Sequence, residues 1–290
     1  MLSELVVFWE LLKEGVLASL IIGFILPVIG CLLALRRSAL LGIAVPQFSA
    51  AGLAFGFFLL PLFPAYMDFF LDEGHPPMAY SFAFAFFAGI FALFFLAYFS
   101  ARIQVMKHAF IASSFAFSLA LTVLLLDFSA LGAALTETLL RGEIIFLDYH
   151  GVTVLVIVNT LVLLALLFNY RLLLFSSFDP EMAFALGHSS KKSELVQLLI
   201  VGAAVGVGVI TVGPILVFAL LFIPPLIARY KVVGVRSYLI RSVSIGLLSV
   251  LCSWPVSFYL DLPYGPSVAL ISAVLGLCVV AFSAITRSRS

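Results

Sequence analysis

The sequence predicts an all-α polytopic membrane protein: a bundle of about nine transmembrane helices, N-terminus outside and C-terminus cytoplasmic. Three observations carry this. Of 290 residues, 64% are hydrophobic and only 10% charged, with a mean hydropathy of +1.27. A water-soluble domain of this length cannot bury so much apolar surface, so its solvent is lipid. The apolar runs have the length of membrane crossings, about 20 residues each. Cations and acids divide between alternate connections, as the retention of Lys and Arg on the cytoplasmic side requires.

Taken in chain order, the first 14 residues carry Glu4, Glu10 and Glu14 against one Lys13. That is not the cationic start of a cleavable signal. Leu5, Val6, Phe8, Trp9 and Leu12 suit a short amphipathic helix in the membrane interface. Spans then follow near 15–35, 39–63, 78–99, 109–127, 151–174, 194–211, 214–230, 238–260 and 264–285. The breaks carry turn chemistry at Arg36-Arg37-Ser38, at Asp72 to Pro77, at Phe178-Asp179-Pro180 and at Leu262 to Pro266. Val212-Gly213-Pro214 is the least polar division. With this alternation 13 of 15 cations lie inside, Lys13 and Arg141 being the exceptions. Among the 14 acids only Asp179, Glu181 and Glu194 do. No long polar linker interrupts the chain, so residues 1–290 form one membrane domain.

Several chemistries are excluded. The net charge of +1 leaves no basic patch for nucleic acid. Cys31, Cys252 and Cys278 all fall in apolar runs and read as small buried hydrophobes, not a disulfide framework or zinc knuckle. No lysine follows a glycine, so the chain has no Gly-Lys-Ser/Thr phosphate loop. Every acid sits at or beyond a span end, which leaves no intramembrane carboxylate for a proton relay. There is no His-Glu-x-x-His helix, nor a Ser/His/Asp set at one membrane depth. The chain is therefore not expected to be an enzyme. A translocation bundle powered by another chain remains, or a structural membrane protein.

Polar residues within spans are few. In "GIAVPQFSAAGLAFG", residues 42–56, Pro46, Gln47 and Ser49 stand in an apolar helix. Pro46 removes a backbone donor and crowds the Gly42 carbonyl, so a bend is expected there. Gly52 and Gly56 form a small-xxx-small pair for close approach of a neighbour. Ser114, Ser118 and Thr122 recur every fourth residue along span four. Helix–helix hydrogen bonding explains that stripe better than pore lining. In the loop after span five, "SSFDPEMAFALGHSSKKSE" (176–194), Ser177 or Asp179 can cap a short helix near 178–188. Pro180 stands at its first position, Glu181 in its first turn and Gly187 at its end. Too short to span, with Met182, Phe184, Ala185 and Leu186 on an apolar side, it suits docking into a partner's groove better than lying on the membrane surface, the alternative.

"FDPEMAFALG" resembles the cytoplasmic segment of the ABC-type manganese/zinc/iron permease family, in which an F-D-x-E-x-A-x-x-x-G run contacts the ATPase subunit. "VGVITVGPILVFALLFIPPLIAR" (207–229) and "FYLDLPYGPSVAL" (258–270) are similar to two further segments of that family. "LLRGEII" (139–145) stands where it has an F-G-x-I-L element, and Arg36-Arg37 where it has paired basic residues. The resemblance implies the permease subunit of a bacterial inner-membrane metal importer. It implies a homodimer around a central pathway, a cytoplasmic ATPase holding ATP and magnesium, and an extracytoplasmic solute-binding protein. No cofactor is implied in this chain. Asp179, Glu181, Ala185, Leu186 and Gly187 take the docking role, and Pro46, Gln47 and Ser49 lie on the pathway helix.

One departure bears on the cargo. The family's second span reads G-D-x-x-x-H-A, its Asp and His one turn apart and facing the metal path. Aligned on Gly42, the Asp position is Ile43 and the His position Gln47. A carboxamide binds first-row metals weakly without a nearby anion. Asp72 with His75, and Asp148 with His150, pair a carboxylate and an imidazole at the outer mouth. Ordinary solvated loop residues explain both pairs better than a metal held there. The cargo is thus a divalent metal in bare or chelated form, or, on the alternative reading, a small non-metal solute. A non-transporting scaffold that keeps the ATPase contact is the third reading.

Overall fold

The computed structural model describes residues 2–36, 38–64, 66–67, 70, 77–103, 106–129, 149–178, 190–230 and 232–287. Ten α-helices run through them: α1 Leu2–Leu35, α2 Leu41–Leu59, α3 Met78–Arg102, α4 Lys107–Phe128, α5 Tyr149–Phe168, α6 Tyr170–Phe178, α7 Ser190–Val212, α8 Pro214–Ala228, α9 Val235–Leu260 and α10 Tyr264–Arg287. Seven stretches are long and apolar enough to cross a membrane: Lys13–Leu35, Leu41–Leu62, Met78–Phe99, Lys107–Phe128, Gly151–Phe168, Ser193–Val212 and Val235–Leu260. Two shorter apolar helices, Pro214–Ala228 and Tyr264–Val279, accompany them. These segments overlap the nine expected from sequence one for one.

The N-terminus departs from expectation. Residues 2–14 do not form a separate interfacial helix but the first turns of α1, one unbroken helix of 34 residues. Gly15 is the sole breaker at the expected joint, and a lone glycine is tolerated inside a helix.

Burial separates inner helices from outer ones. In α1, α2 and α7, 67%, 72% and 72% of the spanning window is buried, against 28% in α3, α4 and α9. A helix apolar on every side belongs at the centre. α2 meets that condition, with small Ala, Gly and Ser residues on several faces, and packs against α3, α4, α7 and α8. α1 packs against α5, α8 and α9. On the outer helices the apolar side chains turn outward: Phe87, Phe91, Phe94 and Tyr98 of α3 are all exposed, which only a lipid surround makes favourable.

Two close helix contacts occur where a proline has released a carbonyl. Pro27 cannot donate to Gly23 O, and that oxygen faces Gly246 of α9, where a Cβ would lie only 2.7 Å away. Pro225 likewise leaves Leu221 O, which faces Gly30 of α1; a Cβ there would lie 2.0 Å from it. In lipid no water can satisfy such a carbonyl, so a neighbour must approach it. The Cα–H groups of glycine allow the approach.

α7 and α8 are divided at Gly213, the weakest expected break. Its φ of 82° suits a residue without Cβ. Pro214 then opens α8, which folds back so that Gly208 faces Val217. Pro46 does not interrupt α2; the helix continues through it from Leu41 to Leu59. The cysteines require a correction. Only Cys31 is buried, and Cys252 and Cys278 lie on exposed faces of α9 and α10. In a bundle surrounded by lipid an apolar run has an outward face as well as an inward one, so hydrophobic sequence alone does not bury a thiol.

Candidate functional site

Gln47 and Ser49 are both buried on α2, yet they point to different neighbours. Two residues advance a helix by about 200°, so the two side chains leave on nearly opposite faces. The Gln47 Nε2 donates to Thr122 Oγ1 of α4 at 3.4 Å. This contact is at the long limit for a hydrogen bond and correspondingly weak. Thr122 in turn donates to Ser118 O at 2.8 Å.

The serine–threonine stripe is the buried seam of α4. Its buried residues are Ile111, Ser114, Ser118, Thr122 and Leu126. Each hydroxyl of the stripe donates to a carbonyl of its own helix, three or four residues back. Small hydroxylated side chains satisfied in this way let α2 and α4 approach closely. Higher on the same seam Ser129 donates to Phe57 O at 3.3 Å. Both contacts advance in the same direction along the two chains, so α2 and α4 run parallel.

Ser49 has a different setting. Its hydroxyl is buried with no hydrogen-bond partner among the described residues, and a Cβ on Gly89 of α3 would lie 2.5 Å from it. Gly52 and Gly56 face Ala88 and Phe84 of the same helix. Tyr80 closes this seam by donating to Gly56 O at 2.7 Å. The small-xxx-small pair therefore packs against α3, as the sequence implies, and Ser49 belongs to that packing seam. Pro46 is buried between the two seams, and Ile43 is half-buried one turn before Gln47.

Neither candidate metal pair can be placed. Asp72, His75 and Asp148 lie outside the described residues, as does the side chain of His150. The docking segment, with Asp179, Glu181, Ala185, Leu186 and Gly187, also lies outside them. Among the described residues no group of three or more His, Cys, Asp or Glu side chains could hold a metal ion. Gln47 offers one carboxamide beside the Thr122 hydroxyl, neutral oxygen and nitrogen groups that bind by hydrogen bond or weak coordination.

Sequence reasoning treated Gln47 and the α4 stripe separately and did not pair them. It also read Arg36 as one of a cytoplasmic basic pair at a turn and gave it no side-chain partner. In the structure the Arg36 Nη2 donates to Ser176 Oγ of α6 and Ser193 Oγ of α7, each at 2.8 Å. The signal for that node was faint: serines flanking the loop after span five.

A family model described as the ABC 3 transport family matches residues 8–283. The "Probable metal transport system membrane protein" of Treponema pallidum (strain Nichols) is 24% identical over 282 residues, 97% of this chain and 99% of that one. The manganese import system permease protein ScaB of Streptococcus parasanguinis is 24% identical over 269 residues, covering 93% and 89% of the two chains. Among solved structures, PsaBC from Streptococcus pneumoniae in complex with Fab superposes with a TM-score of 0.76 at 20% identity. That match covers 96% of this chain and 95% of the other, and it shows a shared fold.

Proposed function

The chain belongs to the ABC 3 transport family, and from that premise we infer that it is the membrane-spanning permease subunit of an ATP-binding-cassette importer for divalent metal ions of the zinc/manganese/iron class. The observation that carries this is a family match spanning residues 8–283 of a helical bundle that has no phosphate-binding loop of its own. ATP hydrolysis belongs to a separate ATPase chain, which would hold ATP and magnesium. A solute-binding protein delivers the cargo from outside the bacterial inner membrane. Two copies of the chain form the pathway as a homodimer, each a single permease domain.

Asp179, Glu181, Ala185, Leu186 and Gly187 form the surface for the ATPase. Pro46, Gln47 and Ser49 lie on the helix that borders the pathway, with Gln47 the residue that meets the cargo. Deleting the protein should lower cellular manganese or zinc and slow growth in metal-depleted medium. Unchanged metal content would reject metal import. The absence of a carboxylate or imidazole at positions 43 and 47 favours a second reading, in which the metal travels chelated and Gln47 contacts the chelator by hydrogen bond. Uptake of a metal–chelate in preference to the bare ion separates the two.

The alternation of charge supports an outside N-terminus and a cytoplasmic C-terminus. A fluorescent reporter fused after Ser290 should light in the cytoplasm. A reporter active only on the outer face would reverse the assignment.

A further inference from the structure

The end of α1, the end of α6 and the start of α7 meet at one point, and a single side chain joins them. Arg36 follows the last residue of α1. Both hydrogens of its Nη2 are used, one on Ser176 and one on Ser193, each at 2.8 Å. Both serines are buried, and their hydroxyls are also bonded to each other. A charged donor that bridges two buried hydroxyls makes stronger bonds than neutral pairs do. The planar guanidinium fixes the angle between them. Burial pushes the Arg36 pKa down and the Glu194 carboxylate opposes the shift.

The node also has capacity left over. Arg36 Nε and Gln197 Oε1 are both buried and, among the described residues, both without a hydrogen-bond partner. Gln197 stands four residues beyond Ser193, one turn along the same face of α7. Each of these two atoms is costly to leave unpaired.

We propose that Arg36 is a positioning residue, a strut that carries movement of the α6 and α7 ends into α1. α1 is an inner helix that packs on α5, α8 and α9, so a displacement of its end is passed to much of the bundle. The segment joining α6 to α7 is the one assigned above to the ATPase, and the coupling role rests on that assignment. Force applied there enters α1 through Arg36, which adds a directional link to the direct packing of α1 on α6 and α7.

The test uses the full complex of permease, ATPase and solute-binding protein in proteoliposomes, with Mn2+ as the probe. Arg36→Gln, and separately Ser176→Ala with Ser193→Ala, should keep ATP hydrolysis within about twofold of the parent. Mn2+ uptake should fall about tenfold or more, so the ATP used per ion rises. Arg36→Lys keeps the charge without the fork and should also remain uncoupled. A proportional fall of both activities, an unchanged ratio, or full rescue by lysine overturns the strut. Spin labels at Leu35→Cys and Leu195→Cys, in a chain freed of its three native cysteines, give a readout independent of cargo. The serine double variant should broaden their distance distribution, and an unchanged distribution overturns the proposal. If the parent complex moves no Mn2+, the import reading fails instead, and the label distances still decide the strut.

Discussion

Gly30→Ala is expected to destabilise the protein by about 3 kcal/mol, the upper range for forcing a methyl into a packed interface. That corresponds to a fall of roughly 6–12 °C in the melting temperature for a chain of this size. The added carbon would lie 2.0 Å from Leu221 O and 2.7 Å from Pro225 Cγ. Neither obstacle can move cheaply. The carbonyl is backbone, and the proline ring is fixed within α8. α1 would have to retreat from α8, and the carbonyl that Pro225 released would lose its covering Cα–H groups in a medium without water. Gly42→Ala is the control. Its new carbon would meet the ends of two leucine side chains, Leu221 at 3.3 Å and Leu33 at 3.9 Å, and a leucine can change rotamer, so the cost should stay under about 1 kcal/mol. Thermal melts of the purified protein in detergent read both. Equal melting temperatures for the two variants would show that the proline-released carbonyl does not control this contact.

The same interface shows where sequence stops being legible. The approximate bounds of the apolar helices and the division at Gly213 follow from hydropathy and turn residues, because each is local in the chain. Gly52 with Gly56 is also legible, since both members of the pair lie on one helix. Gly30 is not. Its significance lies in Leu221 and Pro225, nearly 200 residues away, and a lone glycine in an apolar run has no distinguishing sign. Arg36 is hidden for a related reason. Retention of cations on the cytoplasmic side explains it fully, so nothing in the sequence asks for a second role. Ser49 and Gln47 look alike on paper as polar residues in one span, and only the directions in which they leave α2 separate them. The cysteines err in the opposite sense: local apolarity suggested burial, while the lipid-facing sides of α9 and α10 accept Cys252 and Cys278 equally well.

Gln47→Leu should lower metal uptake by about tenfold, equivalent to about 1.4 kcal/mol in the rate-limiting step, while leaving the amount and melting temperature of the protein close to the parent's. The two halves of this expectation have separate causes. Stability is spared because little is lost. The bond to Thr122 is long at 3.4 Å, and hydrogen bonds between membrane helices contribute about 0.6 kcal/mol on average. Thr122 keeps its own donor satisfied by Ser118 O, so no buried hydroxyl hydrogen is stranded. On the pathway role proposed above, uptake should fall because the carboxamide is the polar group at the position where the resemblance places a metal-facing histidine, and leucine offers a passing ion neither oxygen nor nitrogen. The weakness of the Thr122 contact fits this role, since a side chain held loosely exchanges its partner for cargo at small cost. Gln47→Asn sharpens the test. It retains the amide on a shorter arm and should recover part of the uptake, whereas Thr122→Val, which removes only the hydroxyl partner, should leave most of it. If the leucine variant transports normally while Thr122→Val melts several degrees lower, then Gln47 holds α2 against α4 and takes no part in moving the ion.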